Sequence, residues 1–208
     1  MFSIVVGMSA NGGIGVDNSN TQGLPWKCPI DMKFFRNLTK HNHNKIKQIN
    51  AVIMGRNTYQ TLNNKLLPGR VNVVVSSVLW NLHKGKSDYM YSVESNVLVV
   101  DKKFIVCKTL DNAILYCNKQ DFDNMYVIGG GQLYKEALYH KELDVIYVSF
   151  VPECCMVHVP TIFFPLTVSE LEERFPNKEI FMQDTVEKDG DYQVFTYKTP
   201  KQKVSLCI

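Results

Sequence analysis

The chain has 208 residues, of which 45% are hydrophobic, 11% aromatic and 21% charged, and its formal net charge is +3. That length buries one substantial core but falls short of the usual two-domain size, and the composition excludes a disordered or fibrous chain. The weak positive balance admits an anionic small ligand without arguing for nucleic acid, and no apolar run approaches the roughly 20 residues that cross a bilayer.

The N-terminus, Met1-Phe2-Ser3-Ile4-Val5-Val6-Gly7, lacks the basic start, long apolar segment and cleavage site of a secretory leader and reads as a first strand. Runs rich in Val and Ile recur over residues 2–8, 50–54, 71–75, 97–100, 126–128 and 145–151. Continuous apolar strands of this kind are covered on both faces, and helical patterns at 31–39, 58–64, 109–118 and 132–140 separate them. The order predicts an α/β fold with a mostly parallel central β-sheet and flanking helices. Segments 180–187 and 192–198 flank Lys188-Asp189-Gly190-Asp191, so a C-terminal antiparallel hairpin closes the sheet. Polar stretches at 16–23, 40–47 and 82–94 read as loops and none as a boundary. Residues 1–200 are therefore expected to form a single domain, with 201–208 a polar tail. The six cysteines show no CxxC pair and no matching His spacing, so no metal or redox motif is written and free thiols in the cytoplasm are expected.

Four stations carry chemistry-bearing residues. In Leu24-Pro25-Trp26-Lys27-Cys28-Pro29-Ile30-Asp31, a proline at a first helical position precedes a carboxylate in the first turn. Phe35, one turn later, shares the face of Asp31, so acid and ring either line one pocket wall or serve as helix-dipole partner and core filler. Met54-Gly55-Arg56-Asn57-Thr58 runs from a strand into a helix start, either a phosphate site or an ordinary turn capped by Thr58 with a solvated arginine. Ile128-Gly129-Gly130-Gly131 precedes a third helix start and favours a diphosphate cradle over a plain tight turn, although it is not the GxGxxG fingerprint. Pro68-Gly69-Arg70 places an arginine at a turn exit, where it either clamps a carboxylate or sits on the surface.

Taken in order, Gly13-Ile14-Gly15, Leu24-Pro25-Trp26, Asp31, Met54-Gly55-Arg56-Asn57-Thr58, Pro68-Gly69-Arg70, Ser76-Ser77 and Ile128-Gly129-Gly130-Gly131 closely resemble the dihydrofolate reductase family. The match continues through Phe163-Phe164-Pro165 to the closing hairpin. It implies hydride transfer from NADPH to C6 of the pterin of dihydrofolate while N5 gains a proton. Asp31 becomes the pterin acid, receiving a fork of two hydrogen bonds, with Trp26 and Ser149 completing the catalytic set. The resemblance further implies substrate contacts at Val6, Gly7, Leu24, Met32, Phe35, Leu62, Ile128 and Tyr134, and a glutamate carboxylate on Arg70. NADPH is implied to meet Gly7, Ile14, Gly15, Gly55, Arg56, Asn57, Thr58, Ser76, Ser77 and Lys108. It would also meet the stretch formed by Ile128, Gly129, Gly130, Gly131, Gln132, Leu133 and Tyr134. Arg56, Ser77 and Lys108 are the partners implied for the 2'-phosphate, which favours NADPH over NADH, and a cis peptide is implied between Gly129 and Gly130. Partners are then dihydrofolate and antifolates, with no metal, nucleic acid or membrane, for a cytoplasmic monomer.

The chain also departs from the family pattern. Residues 16–23 are longer than the compact loop usual between the first two motifs, and Gly7 stands where alanine is common. Val159-Pro160-Thr161-Ile162 replaces an Asp-Thr pair, which predicts altered loop coupling. Three rivals remain at this point. One is a reductase of the same fold acting on another pterin-like or pyrimidine substrate. Another is a folate-binding module without turnover, against which Asp31 argues. The third is the reductase half of a thymidylate synthase fusion, for which 208 residues leave no room.

Overall fold

The computed structural model describes residues 1–17, 22–40, 49–84, 90–92, 96–186 and 190–200. Along the chain run β1 (Phe2–Met8), β2 (Gly13–Asp17), β3 (Gln22–Gly23), α1 (Pro29–Thr39), β4 (Ile49–Gly55), α2 (Arg56–Thr61), β5 (Val71–Val75) and α3 (Ser77–His83). They are followed by β6 (Met90–Ser92), β7 (Val97–Asp101), β8 (Phe104–Cys107), α4 (Leu110–Asn118), β9 (Phe122–Val127), α5 (Gly131–Leu138) and β10 (Leu143–Phe150). A 3-10 turn at Glu153–Cys155 leads to β11 (Ile162–Phe163), α6 (Val168–Arg174), β12 (Asn177–Val186) and β13 (Gly190–Lys198).

Ten strands form one sheet in the order β12-β13-β10-β1-β9-β4-β5-β8-β7-β6. From β10 to β8 neighbours run parallel, while β13 and β12 extend one edge and β7 and β6 the other in antiparallel fashion. The parallel centre explains the continuous apolar runs, because both faces are covered. Within each run the pleat still sorts side chains. Ile4, Val6 and Met8 of β1 and Ala51 and Ile53 of β4 pack with α4 and α5 on one face. Val5, Val52 and Met54 pack with Trp26 and with Phe34 of α1 on the other.

The predicted strands at 2–8 and 71–75 match β1 and β5 residue for residue, and the closing hairpin is present with β12 starting earlier, at Asn177. Its turn residues 187–189, the tail 201–208, and residues 18–21 and 41–48 of two expected loops lie outside the described residues. The expected loop at 82–94 is partly regular, since α3 runs into it and β6 lies within it. Several elements exceed the sequence reading. α3 is only seven residues long, and Ser76 caps it by accepting from the Leu79 amide at 3.1 Å. α6 opens on a reciprocal Thr167–Glu170 capping box. The small β11-β2-β3 sheet pairs segments far apart in sequence. Among the described residues no helix is long and apolar enough to cross a membrane.

Candidate active site

The C-terminal ends of β1, β4 and β9 open into a cavity of about 550 Å³. This is where a parallel sheet exposes strand ends and helix starts to a ligand. β1 contributes Val6 and Gly7, β2 contributes Ile14 and Gly15, and Leu24 and Trp26 follow β3. α1 adds Asp31, Met32 and Phe35, and Ser149 comes from β10.

Asp31 stands in the first turn of α1, behind Pro29 at the opening position, and is 6% exposed. Three donors hold its carboxylate. Ser149 Oγ donates to Oδ1 at 2.6 Å, the Tyr192 hydroxyl donates to the same oxygen at 3.1 Å, and Trp26 Nε1 donates to Oδ2 at 3.2 Å. Burial pushes the Asp31 pKa above the ordinary carboxylate value, and the bonds from Ser149, Tyr192 and Trp26 oppose that rise. The acid and Phe35 thus do share a pocket wall. Trp26 is both core and cavity lining, so the two readings of that residue coexist. Its ring also explains Gly7, because a Cβ there would stand 2.9 Å from Trp26 Cζ2.

On the other side of the cavity, Gly55, Arg56, Asn57, Thr58 and Leu62 enter from β4 and α2, and Ile128, Gly129, Gly130, Gly131, Gln132, Leu133 and Tyr134 from β9 and α5. The two turns are tied together by the Gly55 amide donating to Gly129 O at 2.7 Å. Neither helix has a side-chain cap, their N-cap residues being Gly55 and Gly130, so backbone amides remain to meet an anion. Thr58 is therefore not the expected cap. It lies within α2, with its Oγ1 beside Gly130, where an added Cβ would come within 3.3 Å. Gly129 has φ +116 and forms the cis peptide with Gly130. A glycine-walled cradle with uncapped amides and the Arg56 guanidinium fits the diphosphate of a dinucleotide.

Arg70, Ser76, Ser77 and Lys108 do not border this cavity. Arg70 is no surface residue either, being 4% exposed, with Nη1 donating to Thr39 Oγ1 at 2.7 Å and its guanidinium 5.7 Å from the Phe35 ring centre. Burial, then the Arg36 charge, lower its pKa. Its Nε has no acceptor among the described residues. Lys108 places its ammonium 5.2 Å from the Trp80 ring centre. Tyr134 commits its hydroxyl to Val5 O at 2.7 Å.

The unusual Val159-Pro160-Thr161-Ile162 segment keeps the loop bonded. The Thr161 amide donates to Gly15 O at 3.0 Å, the Phe164 amide to Gly12 O at 2.9 Å, and the Asp17 amide to Thr161 Oγ1 at 2.9 Å. The sequence reading missed Tyr192, and no local pattern signals it because its partner Asp31 lies 161 positions away. It also missed Thr39, the partner of Arg70, and several lining residues, among them Val5, Leu67, Val75 and Ile162.

Comparison with known proteins bears on this site. The chain matches the family model for dihydrofolate reductase over residues 1–197. It is 30% identical over 204 residues to a dihydrofolate reductase of Aedes albopictus, covering 96% of this chain and 98% of that one. It is 35% identical over 154 residues to a bifunctional dihydrofolate reductase-thymidylate synthase of Daucus carota, covering 73% of this chain but only 26% of that protein. Among solved structures it resembles a dihydrofolate reductase from Enterococcus faecalis complexed with NADP(H) and RAB-propyl. That match has a TM-score of 0.63 and 22% identity and covers 96% of each chain, a likeness of fold.

Proposed function

The chain belongs to the dihydrofolate reductase family, and from that membership we propose that it is an NADPH-dependent oxidoreductase reducing 7,8-dihydrofolate to 5,6,7,8-tetrahydrofolate. The observation that carries this reading is Asp31, a buried carboxylate on the cavity wall that keeps three hydrogen-bond donors. Such a group receives an amino-amidine edge in a charge-assisted fork.

Asp31 binds and polarises the pterin, Trp26 and Ser149 hold it, and the proton reaches N5 through water under its influence. Val6, Gly7, Leu24, Met32, Phe35, Leu62, Ile128 and Tyr134 form the apolar bed of the substrate. Arg70, whose guanidinium lies 5.7 Å from the ring centre of the cavity-lining Phe35, is the partner of the glutamate carboxylate in this reading. NADPH, bound along the Gly55–Thr58 and Gly129–Tyr134 turns with Ile14 and Gly15 near its nicotinamide, supplies the hydride. Arg56, Ser77 and Lys108 are its 2'-phosphate partners in this reading, with Ser76 bordering the cofactor. Residues 1–200 act as one domain in a cytoplasmic monomer that antifolates inhibit, without nucleic-acid or membrane partners.

The test is NADPH oxidation by purified protein with dihydrofolate, run beside Asp31→Asn and with NADH as competing donor. Turnover that prefers NADPH and collapses near neutral pH in the variant supports the reading. Folded protein without turnover refutes it. Tight folate binding would then indicate a sequestering module, and absence of binding another substrate.

A further inference from the structure

Tyr192 is fully buried on β13, 0% exposed. Ser149 lies opposite Val194 in the β10–β13 register. Tyr192 stands two residues from Val194 on the same strand face and so falls beside Ser149. Both hydroxyls donate to Asp31 Oδ1, at 3.1 Å from Tyr192 and 2.6 Å from Ser149, whereas among the described residues Oδ2 receives only Trp26 Nε1 at 3.2 Å. The two carboxylate oxygens are thus unequally engaged, Oδ1 by two hydroxyls and Oδ2 by one indole N–H. We propose, resting on the reductase reading above, that Tyr192 is a positioning residue for Asp31. With Ser149 it anchors Oδ1, favours the ionised carboxylate in an apolar wall, and leaves Oδ2 as the oxygen that exchanges a proton.

The other titratable groups facing this pair are Tyr134 of α5, whose hydroxyl is committed to Val5 O at 2.7 Å, and the buried Cys28 thiol just before α1. Neither takes the place of Tyr192 as a donor to Asp31. The phenol ties the closing hairpin to the acid, so the protonation of Asp31 depends on a strand none of whose described residues lines the cavity.

Tyr192→Phe keeps the ring and removes the donor. Carbon-13 NMR titration of the Asp31 carboxyl in ligand-free, aspartate-labelled protein reads the effect without requiring turnover. Asp31 in the variant should hold its proton roughly tenfold more tightly, the lower range for one hydrogen bond to a charged group. The pH profile of kcat/KM with NADPH and dihydrofolate should move in the same upward direction. An unchanged Asp31 titration in folded Tyr192→Phe overturns the proposal. A wild-type protein without turnover overturns the reductase reading instead, and the NMR titration still decides for or against Tyr192. Should the phenylalanine variant not fold, 3-fluorotyrosine incorporated at position 192 is a stronger donor of nearly equal size. It must lower the Asp31 titration, and no displacement there equally overturns the proposal.

Discussion

Replacing Asp31 by asparagine separates what the acid costs the folded chain from what it does for a ligand. Burial raises the Asp31 pKa in the folded chain above its usual 3.8. Below that value the group is protonated in folded and unfolded chains alike, and its contribution to stability is fully present. As pH rises, the unfolded chain releases its proton first. The folded chain then binds more protons, and stability falls until pH passes the folded pKa, beyond which the loss is constant. Each pH unit separating the two values removes about 1.4 kcal/mol from the wild type. Asparagine does not titrate and has no such slope. It carries a constant cost instead, because an amide with its oxygen toward Ser149 and Tyr192 turns its NH2 toward Trp26 Nε1. One orphaned donor of this kind costs about 1–3 kcal/mol at every pH. Urea denaturation of both ligand-free proteins between about pH 4 and pH 8 distinguishes the two terms. The stability of Asp31→Asn relative to wild type should climb with pH and then level. A difference that stays flat, or falls with pH, refutes the raised acid.

Other parts of the molecule give sharper single outcomes. Gly129 has φ +116, and an added Cβ would lie 3.2 Å from the Tyr134 hydroxyl. Gly129→Ala should therefore cost about 1–3 kcal/mol and weaken NADPH more than folate in calorimetric titrations, and equal weakening would speak against the cradle. Arg70→Lys removes the fork. The KM for dihydrofolate should rise roughly tenfold while a pterin lacking the glutamate is unaffected, so equal losses for both substrates would dismiss the carboxylate role. At Gly13 a Cβ would sit 2.3 Å from Pro160 Cβ. Gly13→Ala should lose about 1–3 kcal/mol in denaturant melts and recover part of it with Pro160→Gly, and a neutral single variant would contradict this packing.

The parts of the fold and site that were legible in the sequence are those whose causes are local. β1 and β5 announce themselves because a parallel strand covered on both faces is apolar at every step. Asp31 is legible because its proline, its tryptophan and its aromatic neighbour all lie within one short segment around the start of α1. The capping box of α6 was equally local, Thr167 with Glu170, and reading it would have found that helix. The triple glycine is visible for the same reason, although its bond to Gly55 is not.

Arg70 and Tyr192 fail this test for one physical reason: their environments are made by other segments. A turn-exit arginine reads as solvated, yet Thr39 and Phe35 at the end of α1 close over it. Tyr192 is one more apolar position in a closing hairpin until β13 pairs with β10 and carries its hydroxyl to Asp31. The β2–β11 contact is similar, with Asp17 and Thr161 bonded across 144 positions. A carboxylate can therefore be found from its own helix, but its proton affinity cannot, because two of the three donors that set it arrive on β10 and β13. Residue identity names the chemistry available at the site, whereas the pairing of distant strands decides in which protonation state that chemistry starts.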